Sequence, residues 1–190
     1  MNQQEIISFF DKYAPFWDEG QVRNEEVIEK ILNNSGIEKG VSVLDVACGT
    51  GVLFPDYIKR GADVTAVDIS PEMVKIAKSK FSDINIICGD VEEIDFAEKF
   101  DSVMIYNAFP HFPDPEGLIK GLAGMLREGG TLTVAHGAAR EVIDQHHKGA
   151  ASRVSVGLMS AEDLNEIFSR YLSVTVKISD DRMYQVCGQL

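Results

Sequence analysis

Four histidines, His111, His136, His146 and His147, cluster in the second half of a 190-residue chain that carries no others. His111 and His136 each follow an apolar run, "FDSVMIYNA" and "TLTVAH", while His146 and His147 lie in "AREVIDQHHKG". That last segment reads as a helix, on which neighbouring residues point about 100° apart, so only one of its two histidines can share a pocket with the others. If that one is His147, it shares a face with Ile143 and Arg140, leaving His146 nearer Val142 on another side. Three converging imidazoles can hold a divalent transition metal such as Zn²⁺ with a position open for a substrate thiol, hydroxyl or amine. Without a metal, His111 or His136 can act as a general base, because imidazole titrates near neutral pH. A third role, bonding backbone at a sheet rim, is the ordinary fate of a single histidine.

Three carboxylates are placed as regularly. Asp45 sits in "SVLDVA", Asp68 ends "DVTAVD", and Asp90 ends "INIICGD". After Asp45 comes the loop "ACGTG", whose Gly49 and Gly51 let the chain turn sharply and bring backbone N–H groups against a ligand. The loop is not a dinucleotide fingerprint, since Phe54 stands where a third glycine belongs. It is not a phosphate loop either, for it lacks Gly-Lys-Ser/Thr. A carboxylate at the end of the second strand can accept both hydroxyls of a ribose, and Asp90 can accept from an exocyclic amine. The ligand so described has a base and a ribose but requires no phosphate.

The elements that position these groups alternate along the chain. Helices are expected over 2–18 and 21–34, the second with Val22, Val27, Ile28, Ile31 and Leu32 on its apolar side. Short apolar strands follow at 42–47, 63–69, 84–90, 100–108 and 131–137, separated by helical segments. Ser70 and Pro71 mark one helix start, Gly61 closes one helix, and Gly129 with Gly130 close another over 115–130. Strands alternating with helices predict a parallel sheet covered on both faces. At the end of the chain, "SVTVKISD" and "RMYQVCGQL" lie so close that they must form an antiparallel hairpin.

In this order and at these intervals, "VLDVACGTG", "AVDIS", "CGDVEEIDF", "FDSVMIYNAFPHF" and "LREGGTLTVAHG" resemble the class I S-adenosylmethionine-dependent methyltransferases over residues 41–136. The stretch "FFDKYAPFWDE" is similar to the entry helix of that family's small-molecule branch, which includes quinone-ring methyltransferases. The resemblance implies an α/β, Rossmann-like, seven-stranded and mostly parallel sheet of order 3-2-1-4-5-7-6, with strand 7 antiparallel and helices on both faces. It implies S-adenosylmethionine as cofactor and methyl transfer to a second substrate. Asp45, Ala47, Gly49 and Gly51 then surround the methionine moiety, Ala47 standing where the family often has glycine. Asp68 holds the ribose, Ile69 contacts adenine, and Asp90 with Val91 meet its far end. Tyr13 and Trp17 could close over the cofactor, and Asn107 lines its pocket. Similar small methyltransferases carry one His after strand five and another some way on, so the resemblance favours His147 over His146 as the third imidazole.

Composition narrows the partners. A formal net charge of −12 opposes binding to nucleic acid, and no apolar run is long enough to span a bilayer. Three cysteines without CxxC spacing fit reduced thiols, and no secretory signal is evident, so a cytoplasmic location is expected. We read residues 1–190 as one domain, a monomer or homodimer, with a helical cap at 1–35 and an insert over the site at 137–159. So small a cap favours a small-molecule methyl acceptor. Two competing readings are a non-catalytic S-adenosylmethionine-binding regulator and a methyltransferase acting on protein side chains.

Overall fold

The computed structural model describes residues 2–19, 22–146 and 149–190, so the assignment of His147 falls outside the described residues. Seven strands form one sheet: β1 (Ser42–Val46), β2 (Asp63–Asp68), β3 (Asn85–Cys88), β4 (Phe100–Tyr106), β5 (Leu126–His136), β6 (Ser173–Ser179) and β7 (Tyr184–Gln189). Their order is β3-β2-β1-β4-β5-β7-β6, with β7 antiparallel to both neighbours, as the resemblance implied. Parallel registers such as Val46 opposite Val67 and Ile105 bring the carboxyl ends of β1, β2 and β4 to one edge. In such a sheet that edge is where ligands bind.

Each strand feeds two cores, because successive side chains point to opposite faces. Leu44, Val46, Val103 and Ile105 pack on one face with helices α5 (Pro115–Gly124) and α7 (Ala161–Phe168). Val43, Ala66 and Met104 pack on the other with α2 (Glu25–Asn34), α3 (Phe54–Arg60) and α4 (Pro71–Lys80). Helix ends follow local chemistry: the Ser70 side chain accepts from the Met73 N–H at the start of α4, and Gly61 closes α3 in the left-handed conformation.

Three elements depart from the expected bounds. The first helix is not continuous over 2–18. Helix α1 runs Gln3–Tyr13 and gives way to a 3-10 turn, Ala14–Phe16, because Pro15 lacks the N–H that an α-helix interior needs. Helix α2 begins only at Glu25, capped by Asn24, so Val22 lies outside it and is 94% exposed. Helix α5 stops at Gly124, and the stretch expected to end it belongs to β5: Phe100 pairs with Leu126, and the register shifts before Ser102 meets Thr131. Gly129 takes a positive φ of 77° within that shift, and a side chain at Gly130 would come within 2.9 Å of the Arg127 carbonyl. These glycines serve a strand irregularity rather than a helix stop.

Candidate active site

At the carboxyl edge lies a cavity of about 410 Å³, within the range of small-molecule sites. It runs from Asp90 and Val91 past Asp68 and Ile69, crosses the loop at Ala47 and Gly49, and reaches Asn107 and His111. Trp17 closes it from above. Nine of the expected site residues therefore border one volume, His111 and Trp17 among them.

The loop is shaped by three left-handed residues: Ala47 at φ 56°, Gly49 at 55° and Gly51 at 88°. Gly49 borders the cavity, and a Cβ there would meet only the Trp17 indole nitrogen, at 3.8 Å. Gly51 answers to a different constraint. A Cβ on it would fall 2.5 Å from the Phe54 ring, and the residue is absent from the cavity wall. Phe54, which stands where a dinucleotide loop has its third glycine, takes that space and is fully buried. Ala47 accepts a conformation that favours glycine, at a cost of about 1–2 kcal/mol.

Asp68 is buried, and each oxygen takes one backbone N–H: Oδ2 from Gly49 at 2.8 Å and Oδ1 from Ser70 at 2.9 Å. A carboxylate has about four acceptor sites, so capacity remains for two ribose hydroxyls. Burial raises its pKa to about 6 against the lowering effect of those two N–H groups. Asp45 lies behind the wall, 3% exposed, beside the Tyr57 hydroxyl. Burial first, and the charge of Asp68 second, push it up to about 8. It does not border the cavity. Burial likewise raises the Cys48 thiol, whose Sγ donates to the Gly49 carbonyl at 3.7 Å, so this cysteine packs as a thiol. These groups suit S-adenosylmethionine: a buried carboxylate with acceptor capacity to spare, a turn with space above Gly49, and one cavity that joins them.

A strap covers this end, made from α1 and the 3-10 turn after it, and it is fastened to the cavity-lining Asp90 and Thr50 and to both ends of α4. Gln3 Nε2 donates to Asp90 Oδ2 at 2.8 Å. Asp11 accepts from the Ser70 hydroxyl at 2.6 Å and from the Glu72 N–H at 3.2 Å. Asp18 accepts from the Thr50 hydroxyl at 2.6 Å and from Lys80 at 2.9 Å. Of the two aromatic residues expected to close the strap, Trp17 borders the cavity while Tyr13 stacks on Phe9 instead, with centroids 4.7 Å apart.

The histidines separate. His111, on the 3-10 turn Phe109–His111, borders the cavity, and its Nδ1 lies 2.6 Å from the Val154 carbonyl. His136 ends β5 but does not reach the wall. It is 1% exposed and sits edge-on to Tyr184, its partner in register, at 5.9 Å. Its ring turns into the core between β5 and β7, where strand alternation directs it. Among the described residues, no three His, Cys, Asp or Glu side chains converge as metal ligands. Asn107, at φ 56°, accepts from the Gly137 N–H through Oδ1 at 3.0 Å and so ties the ends of β4 and β5 together at the rim.

Sequence reading passed over Phe10, Tyr106 and Phe112, which border the cavity, and Val22, which marks its mouth. The period-2 pattern of β4 could have signalled Tyr106 as its last side chain. Nothing local signalled Val22, which had looked like part of a helix.

Comparison with known proteins agrees with this geometry. Residues 44–134 match a methyltransferase domain family. Over 142 residues the chain is 32% identical to a ubiquinone biosynthesis O-methyltransferase of Coxiella burnetii, covering 70% of this chain and 61% of that protein. It is 37% identical over 142 residues to a demethylmenaquinone methyltransferase of Renibacterium salmoninarum, covering 69% of this chain and 58% of that protein. The chain thus spans about three fifths of the length of these relatives. The N-methyltransferase NodS of Bradyrhizobium japonicum, crystallised with S-adenosyl-L-homocysteine, shares the fold with a TM-score of 0.75 at 15% identity, covering 97% of this chain and 98% of that one. No helix among the described residues is long and apolar enough to cross a membrane. Motifs, sheet order and relatives agree that this chain belongs to the class I S-adenosylmethionine-dependent methyltransferases.

Proposed function

We propose that the protein transfers a methyl group from S-adenosylmethionine to a hydroxyl on a small aromatic acceptor, with His111 as general base. The observation that carries this reading is one cavity joining the buried Asp68 carboxylate and the Gly49 turn to an imidazole among aromatic side chains. The cofactor, once bound, supplies a methyl on a sulfonium already activated for displacement, so alignment provides most of the rate. Asp68 accepts from the ribose, and Asp90 from the adenine end once Gln3 yields it. Ile6, Phe10 and Trp17 exclude water from above.

At the other end, the Val154 carbonyl can only accept, so the proton between it and His111 belongs to Nδ1. This leaves the lone pair on Nε2, where a neutral imidazole takes a proton from an acceptor hydroxyl as the methyl arrives. Phe10, Tyr106 and Phe112 offer flat apolar surface for a ring. The relatives' names, which include ubiquinone and demethylmenaquinone methyltransferases, point to the same acceptor class. The base role needs no metal, whereas a metal would need His136 beside His111, and His136 is turned into the core.

The test uses isotopically labelled S-adenosylmethionine with a panel of hydroxylated aromatic rings, on the native protein and His111→Gln. Turnover should fall about a hundredfold or more in the variant, in the range of a general base, while S-adenosylhomocysteine binds within threefold of native. Chelators should leave turnover unchanged. Undiminished turnover in His111→Gln would remove the base, and loss upon chelation restored by Zn²⁺ would reinstate the metal.

A further inference from the structure

The His111 ring is held from two sides by segments distant in sequence. From the insert, the Val154 carbonyl engages Nδ1 at 2.6 Å. From the strap, the Phe10 ring meets the imidazole edge-on, with centroids 4.9 Å apart and an interplanar angle of 86°. Phe10 in turn lies edge-on to Trp17 at 5.4 Å, and the Trp17 indole nitrogen lies over Gly49. Helix α1 also touches the 3-10 turn Gly149–Val154, so strap and insert meet above the cavity. A line of contacts therefore runs from the cofactor loop through Trp17 and Phe10 to His111.

We infer that Phe10 is a positioning residue that fixes the orientation and tautomer of His111, so that the base is set only when the strap lies over the cofactor loop. The hydrogen bond at Nδ1 by itself leaves the ring able to rotate about the line of that bond. Edge-to-face contact with an aromatic ring restricts that motion, because the arrangement is favoured only over a narrow range of angles. With the ring so restricted, Nδ1 keeps Val154 and Nε2 keeps the lone pair. Phe10 itself has no group to exchange protons, and its contribution is the placement of His111. Of the apolar side chains of α1 only Ile6 is buried, and polar contacts fasten the helix to Asp90 and to the start of α4. An aromatic residue half-buried beside an imidazole is thus the part of the strap best placed to act on chemistry.

This inference rests on the proposed function only for its catalytic consequence; the placement can be read separately. With S-adenosylhomocysteine bound, long-range proton–nitrogen spectra of the His111 ring should show one tautomer, protonated at Nδ1, in the native protein. Phe10→Leu, which retains apolar volume but loses the ring, should give mixed or exchange-broadened signals. Turnover should fall about tenfold, with S-adenosylhomocysteine affinity changed less than threefold. Phe10→Tyr, which keeps the ring, should restore both the single tautomer and turnover. A single unshifted tautomer in Phe10→Leu overturns the placement, whatever the activity. A shifted tautomer with native turnover overturns its catalytic role, and undiminished activity of His111→Gln counts against the base alone.

Discussion

The two ends of the cavity are built by different means. The cofactor end is made by the sheet: Asp68 terminates β2, the loop from Ala47 to Gly51 leaves β1, and Asp90 follows β3, all fixed by parallel registers and backbone hydrogen bonds. The end proposed for the acceptor is made by segments laid over the sheet, with His111 gripped by Val154 of the insert and Phe10 of the strap. A floor built from strands holds its geometry through many shared hydrogen bonds. A roof built from a helix and an insert holds it through a few side-chain contacts, and therefore can vary in specificity without disturbing the floor.

The comparison can be broken most directly at the floor. Asp68→Ala should weaken S-adenosylhomocysteine binding roughly a hundredfold by calorimetry, since hydrogen bonds to a charged group contribute about 1.5–3 kcal/mol each. Unchanged affinity would mean that the ribose lies elsewhere. pH sharpens the same point. Because the Asp68 carboxyl titrates at about 6, it is ionised and the stronger acceptor above that value, so affinity should fall as pH drops through 6, and this step should vanish in Asp68→Asn.

Asp45 makes the opposite demand on folding. Its folded pKa of about 8 exceeds the ordinary 3.8, so the native state holds the extra proton between these values, and stability is lost as pH rises through that window. Asp45→Asn should therefore gain stability relative to native at pH 8, and the gain should shrink toward pH 4, read as midpoints of denaturant unfolding.

The smallest effect belongs to the roof. Asp18→Asn removes a half-exposed ion pair with Lys80, of a kind worth about 0.2–1 kcal/mol, while keeping an acceptor for Thr50. The dissociation rate of S-adenosylhomocysteine should rise about two- to fivefold and lose part of its salt dependence. A rate that does not move would show that the strap is not what retains the cofactor.

Most of the floor was legible in the sequence because its signals are local. A strand ending in Asp, a glycine turn and a Ser-Pro helix start each follow from a few neighbouring residues. Even there, Gly51 was read as making room for a ligand when it makes room for Phe54, since sequence shows that a glycine is needed but not which group approaches it. The roof was read less well. His136 has the same place on its strand end as a rim residue, yet the antiparallel partner β7 brings Tyr184 against it and draws it into the core.

Periodicity, chain order and turn chemistry by themselves determined a parallel sheet closed by an antiparallel hairpin and the carboxylates along its edge, while the strand order came from the family resemblance, because local signals depend on interactions within a few residues or between successive strands. Only tertiary structure decided which aromatic side chains reach the cavity, that Val22 marks its mouth, and that His111 borders it while His136 does not. Those outcomes depend on how α1 and the insert settle across the finished sheet, and contacts such as Phe10 with His111, a hundred positions apart, leave no trace in either local pattern.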